Sequence, residues 1–240
     1  MKNIKFFLKP VLILVFTVAF LSCKNNKTEK TEPEEVMPKD TATAVAVFEP
    51  FKVIGIKHKI ADYEKWRKEY DAHDSMRMVY GISHYMVGRG IDDANMIMII
   101  DKINDVQKAK EFSVLPNLKE TMKKAGVTGK PEFTYYEVIR NDDTPIDQKD
   151  RLMVTHRVKD FDVWLKVYDA EGTAKRMEEG FIDRGMARSI DDPNMVTLVF
   201  AITDMKKAKE NITSEAKKKL MMDAGVEGTP QMFFYKITDY

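Results

Sequence analysis

The sequence of this chain repeats itself, and the repeat limits the folds that it can adopt. The block Lys57–Trp66 recurs 98 residues later as Thr155–Trp164, with His58 matching His156. The block Ile91–Met96 recurs 99 residues later as Ile190–Met195, so one residue was gained between the two blocks. Matches in this order indicate a duplication. The fold must therefore be built from two copies of one unit.

Each copy begins with a pattern typical of a strand followed by a helix. Apolar residues alternate up to Ile60, which predicts a strand. Asp62 then stands where a side-chain oxygen would cap the free N–H groups of a helix. Trp66 and Tyr70 lie on one face of that helix. Gly81, like Gly180 in the second copy, is predicted to end it.

The rest of the unit predicts two strands, a helix and a last strand. Met96–Ile100 is apolar at every position, which indicates a strand buried on both faces. Asp105 caps a second helical segment that Gly126 ends, and Pro116 is predicted to interrupt it in the first copy. An aromatic strand, Phe133–Val138, closes the unit.

The resulting order, βαββαβ, is that of the ferredoxin-like unit, an α+β fold. Helices cover one sheet face only, so the other face needs a partner, which a tandem copy supplies within the same chain. We therefore predict an intramolecular α/β barrel that is monomeric. The predicted boundaries are a first repeat over 50–140, a linker over 141–149 and a second repeat over 150–240.

The N-terminus predicts export and lipid anchoring. Residues 1–22 combine lysines with an apolar run that is too short to span a bilayer, as in a signal peptide. Cys23, the only cysteine, follows Ser22 directly and resembles the acylated cysteine of a bacterial lipoprotein. Residues 23–49 are polar and are expected to form a flexible tether. Lys24 is not the aspartate of an inner-membrane retention signal, so we expect attachment to the outer membrane of the cell envelope.

The charge balance argues against a nucleic-acid partner. The 39 basic and 38 acidic residues leave a formal net charge of +1, whereas nucleic-acid binders carry a strongly basic patch. The sequence contains no zinc ligand pair and no phosphate-binding glycine loop. We therefore predict no metal site and no cofactor, and the expected partners are the membrane and a small organic ligand.

Three motifs resemble the dimeric α/β-barrel superfamily, in particular small proteins similar to antibiotic-biosynthesis monooxygenases and to "cyclase-like" proteins. The motifs are Asp62-x3-Trp66-x3-Tyr70, Arg89-x2-Asp92-Asp93-x-Asn95 and Leu118-Lys119-Glu120-x-Met122-x2-Ala125-Gly126-Val127-x-Gly129-x-Pro131-Glu132. The resemblance covers about residues 50–240. It implies the barrel fold, but because such folds host many activities it does not select one.

The candidate functional residues lie in the first copy. Trp66, Tyr70, His73 and Arg77 follow helical spacing and share one face, which should look at the sheet, and strand residues His58 and His84 belong to the same unit. Two interpretations stay open. These side chains line a pocket for an anionic or phenolic molecule, or they cap the barrel rim and bond to the backbone.

The second copy keeps fewer of these residues. Glu171 or Gly172 replaces His73, and Asp183 replaces His84, which leaves three counterparts, His156, Trp164 and Tyr168. The first function hypothesis is a tethered module that binds a small organic molecule or a partner. The second is a cofactor-independent monooxygenase or isomerase that uses His73, His84 and Arg77 on an aromatic, polyketide-like or lactone substrate. Haem binding and a purely structural role are the remaining alternatives.

Overall fold

The computed structural model of the protein describes residues 48–239. They belong to one compact unit, Ala46–Tyr240, so a chain that begins at Ala46 contains the whole of the fold described below. No helix within residues 48–239 is long and apolar enough to cross a membrane. The predicted signal peptide, Cys23 and nearly all of the tether lie outside the described residues.

The two repeats have the same order of elements. Repeat one contains β1 (Phe51–Ile60), α1 (Tyr63–Ala72), α2 (Asp74–Val79), β2 (Ile82–Gly90), β3 (Met96–Ile103), α3 (Val106–Ser113), α4 (Pro116–Lys124) and β4 (Val127–Asn141). Repeat two contains β5 (Asp150–Val158), α5 (Phe161–Glu171), α6 (Thr173–Glu178), β6 (Phe181–Ser189), β7 (Met195–Ile202), α7 (Met205–Ile212), α8 (Glu215–Asp223) and β8 (Val226–Asp239). This is the predicted βαββαβ order, with each helix divided in two.

The predicted helix caps are confirmed. The Asp62 carboxylate accepts from the backbone N–H of Lys65 at 2.7 Å, and Asp160 accepts from Val163 at 2.9 Å. Asp105 and Asp204 cap the second helical segment of each repeat in the same way. Each cap satisfies an N–H group that would otherwise lack an intrahelical acceptor.

The helices are shorter than the sequence patterns predict. We expected one helix through His73 and Arg77, but α1 ends at Ala72 and α2 begins at Asp74. Repeat two breaks at Gly172, whose φ of +80° is incompatible with a continuing helix, and α5 is one residue longer than α1. The residue that was gained between the copies therefore lies at this break.

The later helix is also broken in both repeats. The segment is interrupted beside Pro116 as predicted, and Pro116 is the first residue of α4 because its ring tolerates the first turn of a helix. Repeat two has no proline there, yet α8 starts at the same place. The Ser214 hydroxyl caps it by accepting from the Lys217 N–H at 3.2 Å. The break therefore belongs to the fold and does not depend on proline.

The eight strands close into one antiparallel barrel, in the order β1-β3-β2-β8-β5-β7-β6-β4. The order within repeat one is β4-β1-β3-β2, and the two repeats join where β2 pairs with β8 and β4 pairs with β6. The predicted intramolecular barrel is thus confirmed. Closure leaves no unpaired sheet edge.

Each strand divides its side chains between two environments. On β3, Ile97 and Ile99 face the helices of repeat one, whereas Met98 and Ile100 face the barrel interior. This confirms that the strand is buried on both faces. Repeat two has its own apolar cluster between sheet and helices, so the fold has two outer cores and one inner core.

The two ends of the barrel differ. β1 and β5 run in the same direction because an even number of antiparallel steps separates them. At the end that we call the linker end, β1 and β5 begin, β4 and β8 finish, and residues 142–149 connect the repeats. The opposite end, the hairpin end, carries the β2–β3 and β6–β7 turns.

Candidate functional site

The structure brings five of the six predicted site residues together. His58, Trp66, Tyr70, His73 and Arg77 line a cavity of about 40 Å³ between the outer sheet face and the helices of repeat one. We call this cavity the repeat-one cleft. The sixth residue, His84, is not part of its lining. His84 lies beyond the Tyr70 ring, with its Nδ1 atom 2.9 Å from the Tyr70 hydroxyl.

Aromatic stacking organises the cleft. The Trp66 and Tyr70 rings stack with centroids 5.1 Å apart, and the His58 ring lies 5.9 Å from Trp66. The Arg77 guanidinium covers the Tyr70 ring at 3.8 Å, where the negative face of the ring attracts a cation. Arg77 Nη1 also donates to the Tyr70 carbonyl at 2.7 Å, and Nη2 donates to Asp74 at 3.0 Å.

Asp101 belongs to this cluster, although the sequence analysis did not identify it. Its side chain is completely buried on β3, directly opposite His84 on β2. The Tyr70 hydroxyl donates to Asp101 at 3.0 Å. Burial is the larger cause that raises the pKa of Tyr70, and the negative charge of Asp101 is the second. The sequence contained a signal for this residue. Asp101 is acidic, whereas the other helix-facing residues of β3 are apolar, and a buried carboxylate among apolar residues needs a partner.

Repeat two builds the same cluster with its carboxylate on the other strand. Arg176 pairs with Asp183 through two hydrogen bonds of 2.7 Å, and the Tyr168 hydroxyl donates to Asp183 at 3.2 Å. Asp183 on β6 faces Phe200 on β7, as His84 faces Asp101 in repeat one. The carboxylate therefore lies on β3 in repeat one and on β6, the counterpart of β2, in repeat two.

This arrangement corrects the sequence comparison of the two copies. Arg176 lies 99 residues after Arg77 and repeats its contacts, covering the Tyr168 ring at 4.0 Å and donating to the Tyr168 carbonyl at 2.9 Å. Repeat two thus keeps the arginine as well as His156, Trp164 and Tyr168. The comparison missed it because the extra residue at Gly172 shifts the alignment.

A second ion-pair cluster lines the equivalent cleft of repeat two, a cavity of about 70 Å³. Lys217 on α8 pairs with both Glu171 and Glu179, and Glu171 also lies 3.4 Å from Arg176. Lys217 corresponds to Leu118 in repeat one, and leucine cannot form an ion pair. The lining of the repeat-two cleft therefore includes an ion pair at the position where the repeat-one cleft has the apolar Leu118.

The described part of repeat one leaves more buried polar atoms without a partner. Each repeat has a histidine, His58 or His156, with neither ring nitrogen hydrogen-bonded. Repeat one adds Arg77 Nε, Asp101 Oδ2 and His84 Nε2 to this set. The corresponding atom in repeat two, Glu179 Oε2, is ion-paired with Lys217. Arg77 Nε and Asp101 Oδ2 face each other at 3.9 Å, which is too long for a hydrogen bond.

The histidines of the two clusters differ in burial and in their partners. Burial lowers the pKa of His58 and of His156 to about 4, so both rings are neutral at pH 7. Burial, together with the nearby Arg77, also lowers the pKa of His73. Nε2 of His84 lies 3.6 Å from Asp239. Among the described residues, no three His, Asp or Glu side chains group as metal ligands.

Comparisons with known proteins support the fold. No protein-family model and no curated protein match the sequence. The solved structure of an anthrone oxidase-like protein aligns over 79% of this chain and 92% of its own length, with a TM-score of 0.53 and 13% identity. A monooxygenase-like protein from Listeria innocua aligns over 79% of this chain and 95% of its own, with a TM-score of 0.46 and 10% identity.

A third structure is a ferredoxin-fold protein from Listeria monocytogenes that is related to antibiotic biosynthesis monooxygenases. It aligns over 80% of this chain and 98% of its own, with a TM-score of 0.45 and 8% identity. The recognition drawn from the sequence motifs is confirmed at the level of fold. The chain has a ferredoxin-like α/β-barrel fold similar to that of the anthrone oxidase-like protein, with both halves of the barrel in one polypeptide.

Proposed function

We propose that the protein is a lipid-anchored module of the bacterial cell envelope that binds a small hydroxylated aromatic molecule in its repeat-one cleft. The observation that carries the proposal is the difference between the two clefts. Repeat two satisfies its buried arginine with a bidentate carboxylate, whereas Arg77 Nε and Asp101 Oδ2 in repeat one remain unbonded at 3.9 Å. Buried polar atoms without a hydrogen-bond partner are costly even in groups that are otherwise paired, so these two atoms favour a ligand that supplies the missing bonds.

The chemistry of the cleft indicates what such a ligand needs. Arg77 lines the cleft and Asp101 does not, so a ligand hydroxyl group in the cleft would accept from Arg77 Nε. An aromatic ring would stack on Trp66, as Tyr70 does. The cavity of about 40 Å³ has room for a water or a hydroxyl group, so a ring enters when the flexible Met122 side chain in its wall moves aside.

The two tryptophans of the chain provide the test, because one lies in each cleft. The probe is 2-hydroxy-1,4-naphthoquinone, a flat hydroxylated ring system that quenches indole fluorescence. It should quench Trp66 in the Trp164→Phe variant of the chain from Ala46, and leave Trp164 in the matched Trp66→Phe variant unchanged. Equal quenching of both, or quenching of Trp164 alone, contradicts the proposed site.

Anchoring is tested separately at Cys23. Cys23→Ala should abolish the incorporation of labelled fatty acid and release the protein from the membrane fraction, because the thiol is the acylated group. Ser22→Ala keeps a small residue before the cysteine and should be acylated normally. An unlabelled Cys23→Ala protein that stays in the membrane fraction would rule out lipid anchoring through this residue.

The alternative is a cofactor-independent monooxygenase. It is favoured by the hydrogen-bonded chain His84–Tyr70–Asp101, which could accept a phenolic proton, and by the anthrone oxidase-like neighbour. Oxygen uptake with anthrone that is lost in the His84→Asp, Asp101→Phe double variant would establish this activity. Binding without oxygen uptake would leave the binding module as the function.

A further inference from the structure

The barrel has a second hollow, on the sheet face opposite the repeat-one cleft. An apolar chamber of about 100 Å³ lies inside the linker end, with Phe51, Ile100, Val199 and Ile237 in its walls. A recess of about 530 Å³ adjoins it outside. The two spaces share four lining residues, Tyr85, Asp143, Arg151 and Arg184. These four residues form a polar mouth to an apolar chamber.

The positive charge of this mouth comes from repeat two. Arg151 and Arg184 occupy the positions of Val53 and Tyr85 in repeat one, so the barrel is asymmetric at this end. Arg184 is the extra residue of a β-bulge in β6, and a bulge turns a side chain away from its regular direction. Its guanidinium is nine-tenths buried beside the apolar chamber. Such a charge requires an anionic or polar partner.

The linker currently supplies those partners. Arg184 Nη2 donates to the Thr144 carbonyl at 2.8 Å, and Nη1 donates to the Asp142 carboxylate at 3.2 Å. Arg151 Nη1 donates to the Gln148 carbonyl at 2.6 Å. The Asp142 side chain is half exposed and lies outside any helix or strand. Asp142 can therefore turn into solvent and yield its place on Arg184 to another carboxylate.

We propose that the linker end binds a small amphipathic carboxylate, with its alkyl chain in the chamber and its carboxylate on Arg184 in place of Asp142. The exchange conserves the ion pair, and the affinity comes from burial of the chain. A cavity of about 150 Å³ admits benzene, so a chamber of this size suits a short alkyl group. This site is additional to the repeat-one cleft.

The test is an NMR titration of the chain from Ala46, labelled at its methionine methyl groups. Hexanoate is the probe. Acetate is the control that lacks the alkyl chain, and 1-hexanol is the control that lacks the charge. Met86 and Met153 line the chamber, whereas Met122 lines the repeat-one cleft. Hexanoate should shift the first two signals and leave Met122 unchanged. Each control should bind at least about tenfold more weakly than hexanoate. 1-Hexanol loses the charged hydrogen bond, and acetate loses the apolar contact.

Three variants complete the test. Arg184→Gln should weaken hexanoate binding about tenfold, whereas Arg140→Gln, which removes a surface arginine paired with Asp169, should leave it unchanged. Ala187→Leu should abolish binding by filling the chamber. Asp142→Asn should tighten binding, because it removes the competing carboxylate and leaves Arg184 in place.

Several results would overturn the proposal. They are equal binding of hexanol and hexanoate, the same affinity in the Arg184 and Arg140 variants, and an unchanged or weaker affinity in Asp142→Asn. The last variant keeps the buried arginine, so it decides the question even if Arg184→Gln does not fold. The Met122 signal separates this site from the cleft, since hexanoate in the barrel should leave it unchanged.

Discussion

At the scale of single residues, the two repeats solve one electrostatic problem in two ways. Each has an arginine buried over a tyrosine ring, and each needs a carboxylate nearby because an unpaired buried charge is costly. Repeat one places that carboxylate on its third strand, at Asp101. Repeat two places it on the neighbouring strand, at Asp183. Both repeats therefore keep one carboxylate in this cross-strand pair of positions, and either strand of the pair can carry it.

This exchange predicts strong coupling between positions 84 and 101. His84→Asp alone should destabilise the protein by about 2–4 kcal/mol, because it adds a second carboxylate beside Asp101. Asp101→Phe alone should cost a similar amount, since it deprives Arg77 and Tyr70 of their carboxylate. The double variant recreates the repeat-two pair and should recover about 1–3 kcal/mol.

The free energy of unfolding in urea measures this coupling. The reverse exchange in repeat two, Asp183→His with Phe200→Asp, is the matched control and should show coupling of the same sign. Additive costs in both repeats would mean that the carboxylate is not exchangeable.

The buried histidines predict a loss of stability in mild acid. The pKa of His58 and of His156 is lowered by burial to about 4, while an exposed histidine in the unfolded chain titrates near 6.5. Well above pH 6.5 both states are neutral and the histidines have no effect. As the pH falls from 6.5 towards 4, the unfolded chain takes up protons that the folded state does not, so folding weakens. The cost should reach about 2 kcal/mol per histidine at pH 5.

Replacing both histidines by leucine tests this window. Neither ring makes a hydrogen bond to another described residue, so the double variant should be nearly as stable as the parent at pH 7.5. It should lose less stability than the parent between pH 7.5 and pH 5, as measured by denaturant unfolding. Equal losses in the two proteins would show that these rings are not neutral in the folded state.

At the scale of elements, local signals begin the helices and tertiary packing limits their length. The four caps Asp62, Asp105, Asp160 and Asp204 stand at equivalent places in the two repeats, and all four bond as their spacing predicts. The helices they begin are only 8 to 11 residues long, below the length at which isolated helices are stable in water. Packing on the sheet must therefore supply most of their stability.

A cap variant separates these two contributions. Asp160→Ala should lower the free energy of unfolding by about 1 kcal/mol, because the Val163 N–H loses its acceptor. Asp160→Asn keeps an acceptor and should cost only a few tenths. Asp162→Ala, in the exposed first turn of the same helix, removes the same charge without a cap. If it costs as much as Asp160→Ala, the effect is electrostatic and the cap is not its cause.

At the scale of the whole molecule, the barrel exists only when both repeats are present. Its inner core draws residues from both, with Val53, Met98 and Tyr136 from repeat one and Met153, Ala187 and Tyr235 from repeat two. The junctions β2–β8 and β4–β6 close the sheet. A single repeat would expose the apolar inner face of its sheet and two unpaired strand edges, both of which promote association.

Separated halves should therefore not remain monomeric. Chains over 46–141 and 150–240 should each dimerise or aggregate in light scattering, while the chain over 46–240 should be a monomer. Mixing the two halves should reconstitute the closed barrel. A folded monomeric half would mean that the repeats are independent domains, and a dimeric full chain would contradict the prediction of a self-contained barrel.

The sequence by itself determined the duplication, the βαββαβ order, the caps and the two faces of each strand. These depend on residue spacing and on hydrogen bonds within a few residues, which a linear pattern records. The need for a second sheet face to be covered then implied the barrel. Helix periodicity and strand alternation oriented Trp66, Tyr70 and His58, whereas Arg77 lies on a separate helix, α2, that the sequence pattern did not predict.

The tertiary structure alone decided the partners of those side chains. Asp101 lies 31 positions from Tyr70 and meets it through strand register, which no local pattern encodes. The bulge before Met86 turns Tyr85 into the barrel, and the corresponding bulge does the same for Arg184. Likewise, α1 ends before His73, although the helical spacing of the sequence continues beyond that residue. Contacts between distant segments depend on such one-residue shifts, because one residue reverses the face to which a strand side chain points.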